Sequence, residues 1–182
     1  MRLQQDKTTT TRTVQARRVP SGDPIEIPAG TQVTITQALG SSFSVVAGGQ
    51  LVRIDGRDAD AIGREVPPPP PTLPADASPD EVGELVWATL KTCYDPEIPI
   101  DIVELGLVYR CEVEPIDGGR FKVGIDMTLT APGCGMGEVL ANEVSDKVLA
   151  LPPVGQVDVN LVFDPPWDRY RLSEMARLAL GL

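Results

Sequence analysis

A chain of 182 residues that is 42% hydrophobic and carries a net charge of −10 has room for one good core, or one core plus a smaller module. It contains no histidine, which removes Ser-His-Asp triads, Cys-His nucleophile pairs, HExxH zinc sites and Cys/His zinc fingers. No apolar run approaches the roughly 18 residues of a membrane span, no apolar segment follows the basic N-terminus as a secretory signal would require, and residues 76–182, at about −11, would repel nucleic acid; a soluble, cytoplasmic protein with neither nucleic acid nor membrane as partner is expected.

Residues 1–18 hold Arg2, Lys7, Arg12, Arg17 and Arg18, for about +4, and a threonine run from Thr8 to Thr11. They read as a disordered basic arm. Residues 19–66 read as a small antiparallel β module: Pro28-Ala-Gly30, then strands at Val33 to Thr36 and Phe43 to Val46, a Gly48-Gly49 turn, and a strand at Leu51 to Ile54. With fewer than about 50 residues and no disulfide or metal cage, its core would be marginal by itself. Residues 67–77 form a Pro-rich linker, whose eight residues from Pro67 to Pro74 span roughly 25 Å as polyproline II. An SH3-type ligand would want more basic neighbours than Arg64.

The second domain covers 78–182. Ser78-Pro79-Asp80-Glu81 is a capping box with proline at the first helical position, and Val82, Leu85, Val86 and Leu90 follow on one face, which Cys93 continues. The carboxylate-rich stretch from Asp95 to Gly106 carries two prolines that forbid a long helix, while Asp101, Glu104 and Gly106 outline one capped turn. From Leu107 the period becomes two, with Leu107, Tyr109, Cys111 and Val113 on one side and Val108, Arg110, Glu112 and Glu114 on the other. After the Asp117-Gly-Gly turn, Phe121, Val123, Ile125, Met127 and Leu129 mark a second, antiparallel strand.

A helix carrying Met136, Val139, Leu140, Val144, Val148 and Leu151 follows, with Glu138, Glu143, Asp146 and Lys147 outside. Pro152-Pro153 ends it. Val157, Val159, Leu161 and Phe163 then form a third strand, and Asp168 caps a last helix with Leu172, Met175, Ala176 and Leu180. All three strands are apolar mainly on one face. The order α-β-β-α-β-α therefore predicts an α/β (α+β) two-layer sandwich, a three-stranded sheet covered by helices on one side, preceded by the β module.

The chemistry concentrates at Thr128-Leu-Thr-Ala-Pro-Gly-Cys134-Gly-Met-Gly-Glu138, where a strand gives way to a helix. A cysteine between glycines at a helix N-terminus sits where backbone N–H groups and the helix dipole stabilise a thiolate. The loop matches neither GxxxxGK[ST] nor GxGxxG, so it is no nucleotide-phosphate motif. A cysteine hydrolase could draw its oxyanion hole from the same helix end, but only a carboxylate such as Asp95 would remain as base, so no enzyme activity is expected. Several glycines beside a thiol suit a sulfur that a metal cluster or another protein's cysteine must approach closely. Cys93, Cys111 and Cys134 are too few and too irregular for a disulfide framework and read as free thiols. For Cys93 a buried core position and a ligand role stay open, and for Asp95 and Glu97 both turn formation and ligation.

Asp95-Pro-Glu-Ile-Pro, Val103-Glu-Leu-Gly-Leu-Val-Tyr109, Thr128-Leu-Thr-Ala-Pro-Gly-Cys134 and Asp164-Pro-Pro-Trp167, in this order, resemble the metal-sulfur cluster assembly family. Val19-Pro-Ser-Gly-Asp-Pro24, Ile35-Thr-Gln-Ala-Leu-Gly40 and Asp55-Gly-Arg-Asp-Ala-Asp60 add a resemblance to a longer form within it. The resemblance implies a small α/β protein that helps to mature iron-sulfur proteins as a carrier or adaptor. Its motif cysteine maps onto Cys134 and its acidic loop onto Asp95 and Glu97, with SUF-type assembly proteins and apo iron-sulfur clients as partners. A relative that assists a multicomponent oxygenase and a metal-free structural adaptor are the alternatives. Three cysteines in one chain cannot close a Cys₄ site, so an iron-sulfur cluster would be transient and bridged through Cys134, with Cys93 or Asp95 in a homodimer or with a client completing the shell.

Overall fold

The computed structural model of the chain describes residues 6–39, 42–69, 71–74, 76–95, 98–131 and 137–182. They divide into two compact units, Met1–Pro69 and Pro70–Leu182.

The first unit is a six-stranded antiparallel sheet in the order β1-β4-β5-β6-β2-β3, made of β1 (Asp6–Thr9), β2 (Val14–Arg18), β3 (Pro24–Ile27), β4 (Gln32–Leu39), β5 (Ser42–Ala47) and β6 (Gln50–Asp55). A 3-10 turn, Gly56–Ile62, is capped by the Asp55 side chain, which accepts from Arg57 N at 2.9 Å. The reading of 1–18 as a disordered arm is therefore corrected from residue 6 on, residues 1–5 lying outside the described residues: residues 6–9 pair with β4, and β2 pairs with both β3 and β6. The alternation of Val14 and Ala16 with Gln15 and Arg17 buries the two apolar side chains, a period-two signal hidden under the basic count. Val14, Ala16, Ile27, Val33, Ile35, Val45, Val52, Ile54 and Ile62 then share one core. Thr10 fastens β1 to the turn before β4: its hydroxyl donates to Pro28 O at 2.7 Å and accepts from Thr31 N at 2.9 Å.

The second unit is a mixed α+β sandwich. Its sheet has the order β7-β8-β9, from β7 (Val108–Ile116), β8 (Arg120–Met127) and β9 (Val154–Leu161). β7 and β8 are antiparallel, whereas β9 runs parallel to β8 because α2 (Gly137–Leu149) makes the crossover. Three residues, 117–119, connect the paired Ile116 and Arg120, and the β7-β8 turn is tight because Gly118 and Gly119 both take positive φ, 79° and 70°. Helix α1 (Pro79–Leu90) carries the full capping box, and Val82, Leu85, Val86 and Leu90 are buried as the spacing predicts. They pack with Val123, Ile125 and Met127 of β8 and with Leu140, Val144 and Val148 of α2 in a single core.

Four details depart from the sequence pattern. Val108 stands opposite Met127 but Arg110 opposite Asp126, so Tyr109 is the extra residue of a bulge. Val108 consequently packs on the core with Cys111 and Val113, in place of the expected alternation through Tyr109. Glu143 and Lys147 are not on the outside: Lys147 Nζ lies 2.8 Å from Glu143 Oε1 and donates to Thr92 O at 2.7 Å, which satisfies a carbonyl left over just beyond α1. Asp168 caps only a 3-10 turn, Arg169–Arg171, while Ser173 caps α3 (Glu174–Leu180), accepting from Ala176 N at 3.0 Å. Phe163 lies beyond the end of β9 and is exposed.

Candidate functional site

Four sequence stretches, drawn from three separate parts of the chain, meet at one end of the second unit. The Val103–Tyr109 stretch is the hub. Asp101 Oδ1 accepts from Val103 N and Glu104 N, both at 3.0 Å, and Gly106 closes the turn with φ 66°. Glycine is required there twice over, because a Cβ on Gly106 would also collide with the carbonyl oxygen of Arg171.

The Asp164–Trp167 stretch docks onto this hub. Trp167 Nε1 donates to Leu105 O at 2.8 Å, and Tyr109 Oη donates to Pro165 O at 2.9 Å. Ser173 N donates to Glu104 O at 2.9 Å while its hydroxyl donates to the Glu104 carboxylate. The Arg171 guanidinium stacks 4.2 Å from the centroid of the Tyr109 ring.

The cysteine loop joins the hub from the other side. Thr128 N donates to Leu107 O at 2.8 Å, and Val162 N to Met127 O at 2.8 Å, so the end of β8 is held between the hub and the exit of β9. Leu129 is buried, and its side chain fills the space where a Cβ of Gly137, the first residue of α2, would sit. Both stems of the loop are thereby pinned to each other. Cys134 itself lies outside the described residues, as does Glu97.

The acidic loop is held as tightly. Asp95 is almost fully buried, its Oδ1 accepts from Ile98 N at 2.9 Å, and its own N–H donates to Ile100 O at 3.2 Å. One oxygen of the Asp95 carboxylate is thus engaged by the backbone. Cys93 is fully buried, with Ile102 N donating to its carbonyl at 2.9 Å. Cys111 is half-buried, and burial pushes its thiol up to about 11, with the neighbouring Glu112 charge adding to the rise. Among the described residues no three His, Cys, Asp or Glu side chains cluster as a metal cage.

Sequence reasoning missed Thr128 as more than part of a motif. Its hydroxyl is buried and has no hydrogen-bond partner among the described residues, a costly arrangement at the root of the cysteine loop. It also missed that Glu104 and Ser173 tie α3 to the hub, since nothing local in either segment points to the other.

A two-layer domain whose hub gathers an acidic loop, a pinned cysteine loop and a Pro-Pro-Trp strap defines a class of small α/β proteins, and comparison with known proteins says which. The model of the family described as "Iron-sulfur cluster assembly protein" matches residues 84–159, all within the second unit. The Fe-S protein maturation auxiliary factor YitW of Bacillus subtilis is 38% identical over 99 residues, which cover 54% of this chain and 93% of YitW. The Fe-S protein maturation auxiliary factor SufT of Staphylococcus aureus is 43% identical over 88 residues, covering 48% of this chain and 96% of SufT. A crystal structure of a DUF59 domain from Bacillus anthracis superposes with a TM-score of 0.51 at 37% identity, covering 57% of this chain and 94% of that one. The chain belongs to the iron-sulfur cluster assembly protein family, as a SufT-like member.

Proposed function

We propose that this chain is an auxiliary factor of iron-sulfur protein maturation that carries a cluster, or adapts a client to its assembly, through Cys134, without enzymatic turnover. The observation that carries the reading is the convergence of the acidic loop, the Val103–Tyr109 hub, the cysteine loop and the Asp164–Trp167 strap on one end of the second unit. That scaffold pins both stems of the loop that presents Cys134. Relatives named as maturation factors support the same role.

The cluster is cargo. Cys93 is buried and the half-buried Cys111 is held protonated by its raised pKa, so this reading assigns the cluster's thiolate to Cys134, and the remaining ligands come from a second copy, a client or a small thiol. Such shared ligation is labile, which suits a carrier acting in the reducing cytoplasm beside SUF-type assembly proteins and apo clients. Asp95 acts by shaping the acidic loop, and Glu97 is its remaining candidate ligand.

Anaerobic reconstitution of the full chain and of Cys134→Ser, followed by iron and sulfide analysis and native mass measurement, tests this. Wild type should take up a cluster shared between chains or completed by thiol, and the variant should not. Equal cluster content in both proteins, or a stable cluster on a strict monomer without added thiol, overturns the reading. No cluster on either removes the carrier and leaves the metal-free adaptor.

A further inference from the structure

Helix α3 is apolar on nearly every side. Leu172 and Ala176 are buried against the core, yet Met175 and Leu178 are each 73% exposed and Leu182, just past the Gly181 cap, is 64% exposed. Positions 175 and 178 are three apart, so their side chains lie together on the helix face away from Ala176, and Leu182 follows beyond the left-handed cap at Gly181. Tyr170, 78% exposed, stands at its entrance. A helix that is apolar all round is normally covered all round, and a contiguous exposed patch marks an interaction surface.

The charges beside the stripe say what covers it. Glu174 and Arg177 are both exposed, three residues apart on the same flank, yet they do not pair with each other. Arg177 donates to Tyr170 O at 2.7 Å, and among the described residues Glu174 makes no hydrogen bond or ion pair. A partner of a single charge sign would match only one of the two. A two-fold contact requires a surface complementary to itself, and antiparallel helices set like flank against like flank. With the axis between positions 176 and 177, Met175 of each copy meets Leu178 of the other, and Glu174 lies about two residues' rise, roughly 3 Å along the axis, from the other copy's Arg177, within reach of its long side chain.

We propose that the exposed stripe of α3, with Glu174 and Arg177 as reciprocal ion pairs, is a two-fold interface between two copies of this chain. The contact is weak, since a patch built on a few side chains is far smaller than the roughly 20–30 residues a side of a standard stable interface. Two chains of −10 also repel, so association strengthens as salt is raised from low ionic strength. The proposal stands on α3 alone and goes beyond the cargo reading: a dimer without cluster, or cluster on a chain that does not dimerise through α3, separates the two.

Sedimentation velocity of the full-length, metal-free protein under reducing conditions, in a concentration series into the hundreds of micromolar, is the test. Wild type should show a concentration-dependent monomer-dimer equilibrium. Leu178→Glu should raise the dissociation constant by about tenfold or more with an unchanged melting temperature, because the side chain is exposed in the monomer. Glu174→Arg should weaken the dimer, and the double exchange Glu174→Arg with Arg177→Glu should restore it, which no loss of folding could mimic. A wild type that stays monomeric throughout, whatever else covers the stripe, overturns the proposal. So does a dimer indifferent to Leu178→Glu, or an exchange that fails to restore what the single reversal lost.

Discussion

Two of the three thiols, Cys93 and Cys111, are set apart from a free thiol by the positions that hold them. Cys93 closes the apolar face of α1 and its sulfur sees no solvent, so it is inert. Cys111 lies on the core side of β7, and its raised pKa keeps it protonated at neutral pH. The sign follows: a folded value above the unfolded one adds stability that is whole below the ordinary thiol range and is lost as pH climbs toward about 11. Limiting iodoacetamide at neutral pH, mapped by mass spectrometry, should therefore label Cys134 first, with Cys111 reacting only as the pH approaches that value; early labelling of Cys111 would count against its placement. A second residue-scale expectation concerns Gly106. Gly106→Ala forces a left-handed backbone on an L residue and drives a methyl into Arg171 O, so it should cost at least about 2 kcal/mol by chemical denaturation and loosen α3 from the hub. The side on which Cys111 lies was legible from alternation, but the bulge at Tyr109 was not, because a bulge is fixed by register against β8 and not by the β7 sequence.

At the scale of elements, what the sequence announces locally is what the structure keeps. The capping box of α1 is complete: Ser78 N donates to Glu81 Oε2 at 2.8 Å and Glu81 N to Ser78 Oγ at 3.3 Å. Ser78→Ala should lower the unfolding free energy by about 1 kcal/mol in urea titrations. Bonds from the Ser78 backbone N–H and hydroxyl hold the Glu81 carboxyl below its usual range. Its contribution is therefore full above the ordinary glutamate range and fades as pH falls through the lowered folded value. The stability difference between wild type and Glu81→Gln should follow that course, and a difference that stays constant into acid would show that the reciprocal bond is not formed. The elements that escaped sequence reading are those whose reasons are remote. The Gly56–Ile62 turn is set by the packing of Ala61 and Ile62 in the first core, and α3 is capped five residues after the aspartate best suited to the task because Ser173 is held by Glu104. Periodicity reports which residues are apolar on one side, and says nothing of what lies opposite.

For the whole molecule the question is whether the two units are two folding problems or one. Each has a hydrophobic cluster of its own, the first running from Val14 to Ile62 and the second from Ala77 to Ala176. Their charges differ as sharply, about +1 for 1–69 against about −11 for 70–182. The basic arm was misread because composition was taken over a stretch whose structure depends on strands up to 40 residues away: β2 finds β6, and β1 finds β4, only once the Gly48-Gly49 hairpin exists. The second unit carries long-range pairings of its own, Met127 opposite Leu161 and Trp167 on Leu105. YitW and SufT are matched over 93% and 96% of their own lengths by about half of this chain, so proteins that consist of little else sustain this unit. A fragment beginning at Pro70 should accordingly fold and unfold in urea as one cooperative transition, with native near-ultraviolet dichroism from Trp87 and Trp167. The fragment 1–69 should fold with a lower midpoint, since so short a chain buries less of its surface. Recovery of the Pro70 fragment only as an aggregate, or as a species with secondary structure but no fixed tryptophan environment, would mean that the core around Leu90, Ile102 and Ile125 needs the first unit after all.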